Sequence, residues 1–273
     1  MTSQHVLLAG CGDVGIATGL RMIAQGWSAT GVRRRAALLP AEVSGLALDL
    51  TTARECDLPR ADAVVVTLTA DSTDADAYER TYVNGLSGLA RALPRGEGGA
   101  EPLVVLVSST GVFGQNDGEI VTEATDPSPS RETAKILRAA ELLAMELFPR
   151  LVIVRPAGIY GPGRTSLADR VARGEPVARN RMTNRIHRDD LVSVIESVLG
   201  TENPPELVHA VDHSPAPLGA VADHIAGLLG VPAPPDVSGS GGGRGKSIDG
   251  SLVRSLTDFR YPSYREGYAS LLG

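Results

Sequence analysis

Three glycines near the start of the chain stand at a spacing that can do chemistry. Gly10, Gly12 and Gly15 form G-x-G-x-x-G within the stretch HVLLAGCGDVG. In a dinucleotide site each plays a separate part. Gly10 permits a tight turn, Gly12 lets the backbone approach a pyrophosphate, and Gly15 lets a helix pack close to a strand. Asp13 and Val14 then fall in the first turn of the helix, whose N–H groups and partial positive charge favour phosphate. About 20 residues after such a loop, an NAD-preferring site places an acid against the ribose 2′-hydroxyl. This chain has Arg33, Arg34 and Arg35 there, and its first acid beyond them is Glu42. A guanidinium grips phosphate through two hydrogen bonds, so NADP is the expected cofactor and NAD the alternative. The competing reading of the three arginines is a solvated basic loop.

These residues need elements to hold them. Val6, Leu7, Leu8 and Ala9 make a continuous apolar run, as for a strand buried on both faces of a parallel sheet. Val14, Ala17 and Leu20 share one helical face, and Gly26 ends that helix. Further strands are expected at 28–32, 46–50, 63–68, 103–108, 151–155 and 207–211. Leu68, Thr69 and Ser108 stand at the carboxyl ends of two of them. Helices are expected at 78–93, from Ser128 and Pro129 to about 147, and at 190–199 and 217–229. Strands alternating with helices in this way predict an α/β fold, a Rossmann-type doubly wound parallel sheet with a small C-terminal substrate lobe. The expected division is a cofactor-binding domain at 1–163 and a lobe at 164–273, with 184–212 returning to the sheet.

Composition narrows the function. The chain has 273 residues, 42% of them hydrophobic, and a net charge of −6, which argues against a nucleic-acid partner. No apolar run approaches the ~20 residues that cross a bilayer, so no membrane partner is expected. Cys11 and Cys56 make no disulfide framework, and the five histidines show no zinc spacing. No metal is expected. The first strand follows the N-terminus almost at once, so the expectation is a cytoplasmic protein without a signal peptide. The residues Ser240–Ser247, SGGGRGKS, fall one glycine short of a phosphate-binding loop and lack the strand that must precede one. Residues 232–245 are read as a flexible loop, as is the glycine-rich turn at 96–100.

Several later segments together resemble the extended and atypical short-chain dehydrogenase/reductases, the NAD-dependent epimerase/dehydratase group. Asp49 and Leu50 match the pair that meets the adenine. YERTYVN, from Tyr78 to Asn84, resembles the family's Tyr-and-Asn helix. Ser108–Gly114 resembles S-S-x-x-V-Y-G, with Phe113 in place of Tyr. RPAGIYGP, from Arg155 to Pro162, resembles the R-P-x-x-V-Y-G-P beside the nicotinamide, which implies cofactor contacts for Pro156 and Ile159. IHRDDL, from Ile186 to Leu191, resembles V-H-V-D-D-V. The resemblance implies that Lys135 binds the ribose and, with Ser109, serves catalysis.

One expected residue is missing. The family's Tyr-x-x-x-Lys would put the proton-donating phenol at 131, where this chain has Arg131, which cannot act as a general acid. TAKILRAAE, from Thr133 to Glu141, instead resembles the T-G-R-x-L-x-x-A-E of an atypical subgroup that commonly lacks the tyrosine. Tyr160, Tyr82 and Glu132 are the candidate substitutes, and Tyr160 is the one carried forward. Arg131 and Lys135, four apart on one helical pattern, would favour an anion between them. Arg164, Arg170, Arg173, Arg179 and Arg181 could receive a substrate phosphate or carboxylate, or form a solvated face. Nucleotide-sugar enzymes of the family often carry an Arg at the position of Thr183. The expected function is that of an NAD(P)-binding epimerase, dehydratase or reductase with a small, anionic substrate; the alternative is a non-catalytic NADP(H)-binding sensor. Neither substrate nor oligomeric state follows from these residues.

Overall fold

The computed structural model describes residues 3–94, 101–237 and 244–273. The turn expected at 96–100 and residues 238–243 of the glycine-rich loop lie outside them. In chain order the strands are β1 (His5–Ala9), β2 (Ser28–Arg33), β3 (Ser44–Ala47), β4 (Ala63–Val66), β5 (Leu103–Val107), β6 (Asp117–Val121), β7 (Leu151–Pro156), β8 (Gly158–Tyr160), β9 (Met182–Thr183), β10 (Arg185–His187), β11 (Leu207–Ala210), β12 (Ala216–Pro217) and β13 (Gly245–Ile248). The helices are α1 (Asp13–Ala24), α2 (Ala75–Tyr78), α3 (Gly85–Ala92), α4 (Glu132–Leu147), α5 (Ser166–Ala172), α6 (Arg188–Gly200), α7 (Leu218–Leu229), α8 (Ser251–Leu256) and α9 (Tyr264–Leu272).

Seven strands form one parallel sheet in the order β11-β7-β5-β4-β1-β2-β3. The chain winds one way from β1 through β2 to β3, then crosses to β4 and winds the other way. The reversal lies between β1 and β4, where open α/β sheets bind ligands at the carboxyl ends of their strands. Val64, Val65 and Val66 are fully buried, as are Val6, Leu7, Leu8 and Ala9. This is the pattern of strands covered on both faces. Helix α1 stops where expected: Gly26 adopts φ +90 and its N–H donates to the Ile23 carbonyl.

Two expected boundaries are corrected. The helix expected at 78–93 is α2, a π-helical turn at Glu79–Asn84, and α3. Gly88 lets α3 lie directly on the turn at Leu50–Thr52, since a Cβ there would collide with the Leu50 carbonyl. Helix α4 begins at Glu132, not near Ser128. Pro127 and Pro129 bias the residues before them towards extended backbone, which delays the helix.

The chain divides into two compact units, each built from three separate stretches of the chain. The first comprises Met1–Phe113, Pro127–Arg155 and Ile195–Val208; the second comprises Gly114–Asp126, Pro156–Val194 and His209–Gly273. Within the second, β12-β9-β13-β6 make a small sheet, and β8 pairs with β10. Among the described residues, no helix is long and apolar enough to cross a membrane.

Candidate functional site

The first unit carries a cavity of about 310 Å³ at the carboxyl ends of β1 to β4. Gly10, Cys11 and Gly12 line it after β1, Arg33, Arg34 and Arg35 after β2, Asp49 and Leu50 after β3, and Leu68, Thr69 and Asp71 after β4. Arg80, Thr81 and Gly85 close it from the π-helical turn and α3.

The glycine turn is pinned from both sides. The N–H groups of Gly10 and Cys11 both donate to the Val32 carbonyl at 3.0 Å, and the Thr67 hydroxyl donates to the Gly10 carbonyl at 3.1 Å. Gly10 has φ +74, and a Cβ on it would lie 2.8 Å from the Leu68 side chain. Gly15 meets Thr67 at 2.9 Å and Cys11 at 3.4 Å by the same construction, so α1 sits tightly on the strands. Gly12 differs. A Cβ there would meet nothing nearer than the Gly10 carbonyl at 3.9 Å. The protein does not fill that space; a ligand approaching the backbone would. Gly12 is the N-cap of α1, no side chain caps it, and Asp13 and Val14 form the first turn, Asp13 exposed and Val14 buried. Burial pushes the Cys11 thiol up to about 11, so it is protonated at neutral pH.

The charges around the cavity are partly matched. Arg34 donates through Nη2 to both carboxylate oxygens of Asp71, at 2.8 Å each. Asp49 accepts from the backbone N–H and the hydroxyl of Thr51, which fixes the turn at Leu50–Thr52. The sequence patterns do not single out Asp71, Arg80 or Thr81. Arg80 and Thr81 belong to a segment that resembles the family helix, and Asp71 lies in a polar loop with no pattern to mark it.

A second group of first-unit residues surrounds Glu141, which is fully buried. Its carboxylate accepts two bonds from Arg155, at 2.9 and 2.8 Å, one from Ser108 at 2.7 Å and one from Arg138 at 2.9 Å. Burial pushes the Glu141 carboxyl up, but Arg155 and the other donors outweigh it and hold the group below the usual range. The Arg155 guanidinium also lies 5.0 Å from the centre of the Phe113 ring. The sequence places Ser108 at this strand end but gives no sign of the part Glu141 plays.

The expected catalytic residues are not gathered around an evident proton donor. The Ser109 hydroxyl accepts from the Gly111 N–H at 2.9 Å and caps the turn at Thr110–Val112. Lys135 is exposed and pairs with Glu132 at 3.1 Å. Arg131 is the N-cap of α4, with extended backbone, and its carbonyl accepts from the Lys135 N–H at 3.0 Å, so the two residues bound the first turn of the helix. In the second unit, Pro156 ends β7, and Ile159 lies in β8 beside Ile186. Tyr160 is a core residue there: it stacks on Tyr268 at 4.6 Å, meets the His187 ring edge-on at 5.3 Å, and donates to the Ser263 carbonyl at 3.4 Å. Gly267 leaves room for its ring. Burial pushes the Tyr160 hydroxyl far above its ordinary pKa. This is a packed position, and it lends no support to a proton-donor role.

The basic segment of the second unit is largely tied down. Arg170 and Arg173 pair with Glu175, and Arg179 grips Asp223. Thr183 donates to the Ala216 carbonyl at 2.9 Å, which joins β9 to β12. Asp190 accepts from the N–H groups of Arg260 and Tyr261 at 2.8 and 3.0 Å, and so fixes the last segment of the chain. Lys246, in the phosphate-loop-like stretch, lies in β13. Among the described residues, no group of three His, Cys, Asp or Glu is placed to hold a metal.

A protein of Methylobacillus flagellatus, provisionally described as an NAD-dependent epimerase/dehydratase, is 32% identical, with a TM-score of 0.82, and the match covers 99% of this chain and 98% of that one. The chain belongs to the NAD-dependent epimerase/dehydratase family. Among curated proteins, Protein YeeZ of Escherichia coli K12 is 27% identical over 272 residues, covering 94% of this chain and 96% of YeeZ. MoeE5, solved in complex with UDP-glucuronic acid and NAD, is 22% identical with a TM-score of 0.79 over 99% of this chain and 98% of its own, which shows a shared fold. No family model matches.

Proposed function

We propose that this chain binds NADP(H) in the cavity at the ends of β1 to β4 and is an atypical oxidoreductase or epimerase that works without the family's tyrosine. The observation that carries the reading is the space in front of Gly12, bordered by Arg33, Arg34, Arg35 and Arg80. The residues fit a dinucleotide: a glycine turn open to a pyrophosphate, a helix N-terminus behind it, and guanidinium groups where a 2′-phosphate is recognised. MoeE5 was solved with NAD, and the same fold takes NADP when arginine replaces the acid after β2. When bound, the nicotinamide would supply hydride exchange with a small hydroxyl- or carbonyl-bearing substrate. The chain's own part is to bind and orient. Ser109 is the hydroxyl available to a substrate oxygen, and Lys135 the cation available to the ribose.

Calorimetric titration with NADP and NAD tests this. NADP should bind more tightly, by about 1–3 kcal/mol for one lost phosphate–guanidinium contact, and Arg33→Ala should weaken NADP while leaving NAD nearly unchanged. Equal affinities, or tighter NAD, count against it. A second reading, a cofactor-binding sensor without turnover, draws on Arg131 in the tyrosine's place and on Lys135 paired with Glu132. NADPH oxidation with a panel of simple carbonyl compounds separates the two. Poor or absent turnover by the wild type, restored by Arg131→Tyr, favours an enzyme architecture lacking its acid. Robust wild-type reduction that is lost with Ser109→Ala shows that Ser109 suffices.

A further inference from the structure

Arg34 and Asp71 meet across the glycine turn. Strands β2 and β4 flank β1 in the sheet. Arg34 follows β2, Asp71 follows β4, and the Nη2 of Arg34 contacts both oxygens of Asp71 at 2.8 Å. The ion pair therefore spans the end of β1, and both residues line the cavity together with Gly10 and Gly12. Their side chains are 61% and 71% exposed. Pairs this exposed add little to folding stability, so the pair can be opened without disturbing the fold.

We infer that Asp71 is a cofactor-discriminating residue: it engages Arg34 and sets a carboxylate beside the position of the cofactor's 2′ group, so that NADP(H) must compete for Arg34 while NAD(H) meets no like charge. The inference rests on the cavity being the dinucleotide site. Its physical basis is charge. A 2′-phosphate held by Arg34 would stand close to the Asp71 carboxylate, and like charges at such separations repel even in high dielectric. The 2′-hydroxyl of NAD is neutral and can donate to a carboxylate. Arg33, Arg35, Arg80 and Asp49 are unchanged by substitution at 71, so their attraction and repulsion are common to wild type and variant.

The test is calorimetry on the full chain with NADP and NAD, for wild type, Asp71→Asn, Arg34→Gln and the double variant, at low and high salt, with circular dichroism to establish folding. Asp71→Asn should tighten NADP about two- to five-fold and change NAD by less than half as much. The gain should fall in the Arg34→Gln background, where only the direct repulsion is left, and shrink at high salt. An unchanged NADP affinity, an equal gain for both cofactors, or a gain undiminished by Arg34→Gln would overturn the role of Asp71 and leave the cofactor site standing. Failure of the wild-type chain to bind either cofactor would overturn both.

Discussion

Gly10 and Gly12 are two residues apart and should respond differently to a side chain. Gly10 holds φ +74, which costs an L-residue roughly 1–2 kcal/mol, and its Cβ would press on Leu68. Gly10→Ala is therefore expected to lower the urea midpoint whether or not cofactor is present. Gly12 has φ −92 and open space before it. Gly12→Val should leave the circular dichroism spectrum and the melting temperature near wild type and abolish NAD(P) binding in calorimetry. Retained binding would remove the glycine turn from the site. These roles are legible in sequence because a turn's need for glycine is local. Asp71 is not legible there, since its partner lies 37 positions away and meets it only because the sheet sets β2 and β4 on either side of β1.

At the scale of elements, the Glu141 carboxylate joins α4 to the ends of β5 and β7. It accepts from Ser108 just past β5 and from Arg155 within β7, while the Ser108 N–H donates to the Val154 carbonyl at 2.8 Å. Breaking a buried pair from one side leaves a charge without compensation and costs about 3–5 kcal/mol, whereas replacing both partners with apolar groups is often neutral. Glu141→Gln should lower unfolding free energy by about that amount, and Glu141→Leu combined with Arg155→Met should cost less than either single change. Denaturant titration of wild type, the single variants and the double variant decides it; additive losses would show that the pair is not coupled. The pH dependence has a definite sign. The folded-state pKa of Glu141 is lowered, so its contribution is present above the unfolded carboxyl pKa and is lost as pH falls through the folded value. Helix α4 itself is legible from its apolar period. Its start is not, because the serine–proline pair that reads as a cap is held extended by two prolines.

At the scale of the whole molecule, the alternation of apolar strands and helical patterns is enough to predict the parallel sheet, since continuous valine-rich runs have few alternatives to a doubly covered strand. The placement of β6 is not predictable in this way. Strand β6 is exposed along most of its length and pairs with β13 more than a hundred residues later, and its sequence, DGEIV, has no buried period to reveal it. The second unit also contains a buried charge that should shape stability across physiological pH. Asp212 is 1% exposed, and burial pushes its carboxyl up to about 7 against the opposing pull of Arg185 and of the Ser214 N–H. One oxygen accepts from Ser214 at 3.0 Å, and Oδ2 has no hydrogen-bond partner. The unfolded chain holds that proton only below about 4, so between about 4 and 7 the native state binds more protons than the unfolded state, and stability from this group falls as pH rises. His187 works in the opposite sense. Burial lowers its pKa, so it costs stability as pH falls below the ordinary histidine value. The difference between wild type and Asp212→Asn cancels the histidine and isolates the carboxyl. Urea titrations at pH 5 and pH 8 should find that the stability of the variant relative to wild type grows by about 2–3 kcal/mol between the two values. An offset that is the same at both values would show that Asp212 does not take up a proton on folding and that its charge is compensated within the second unit.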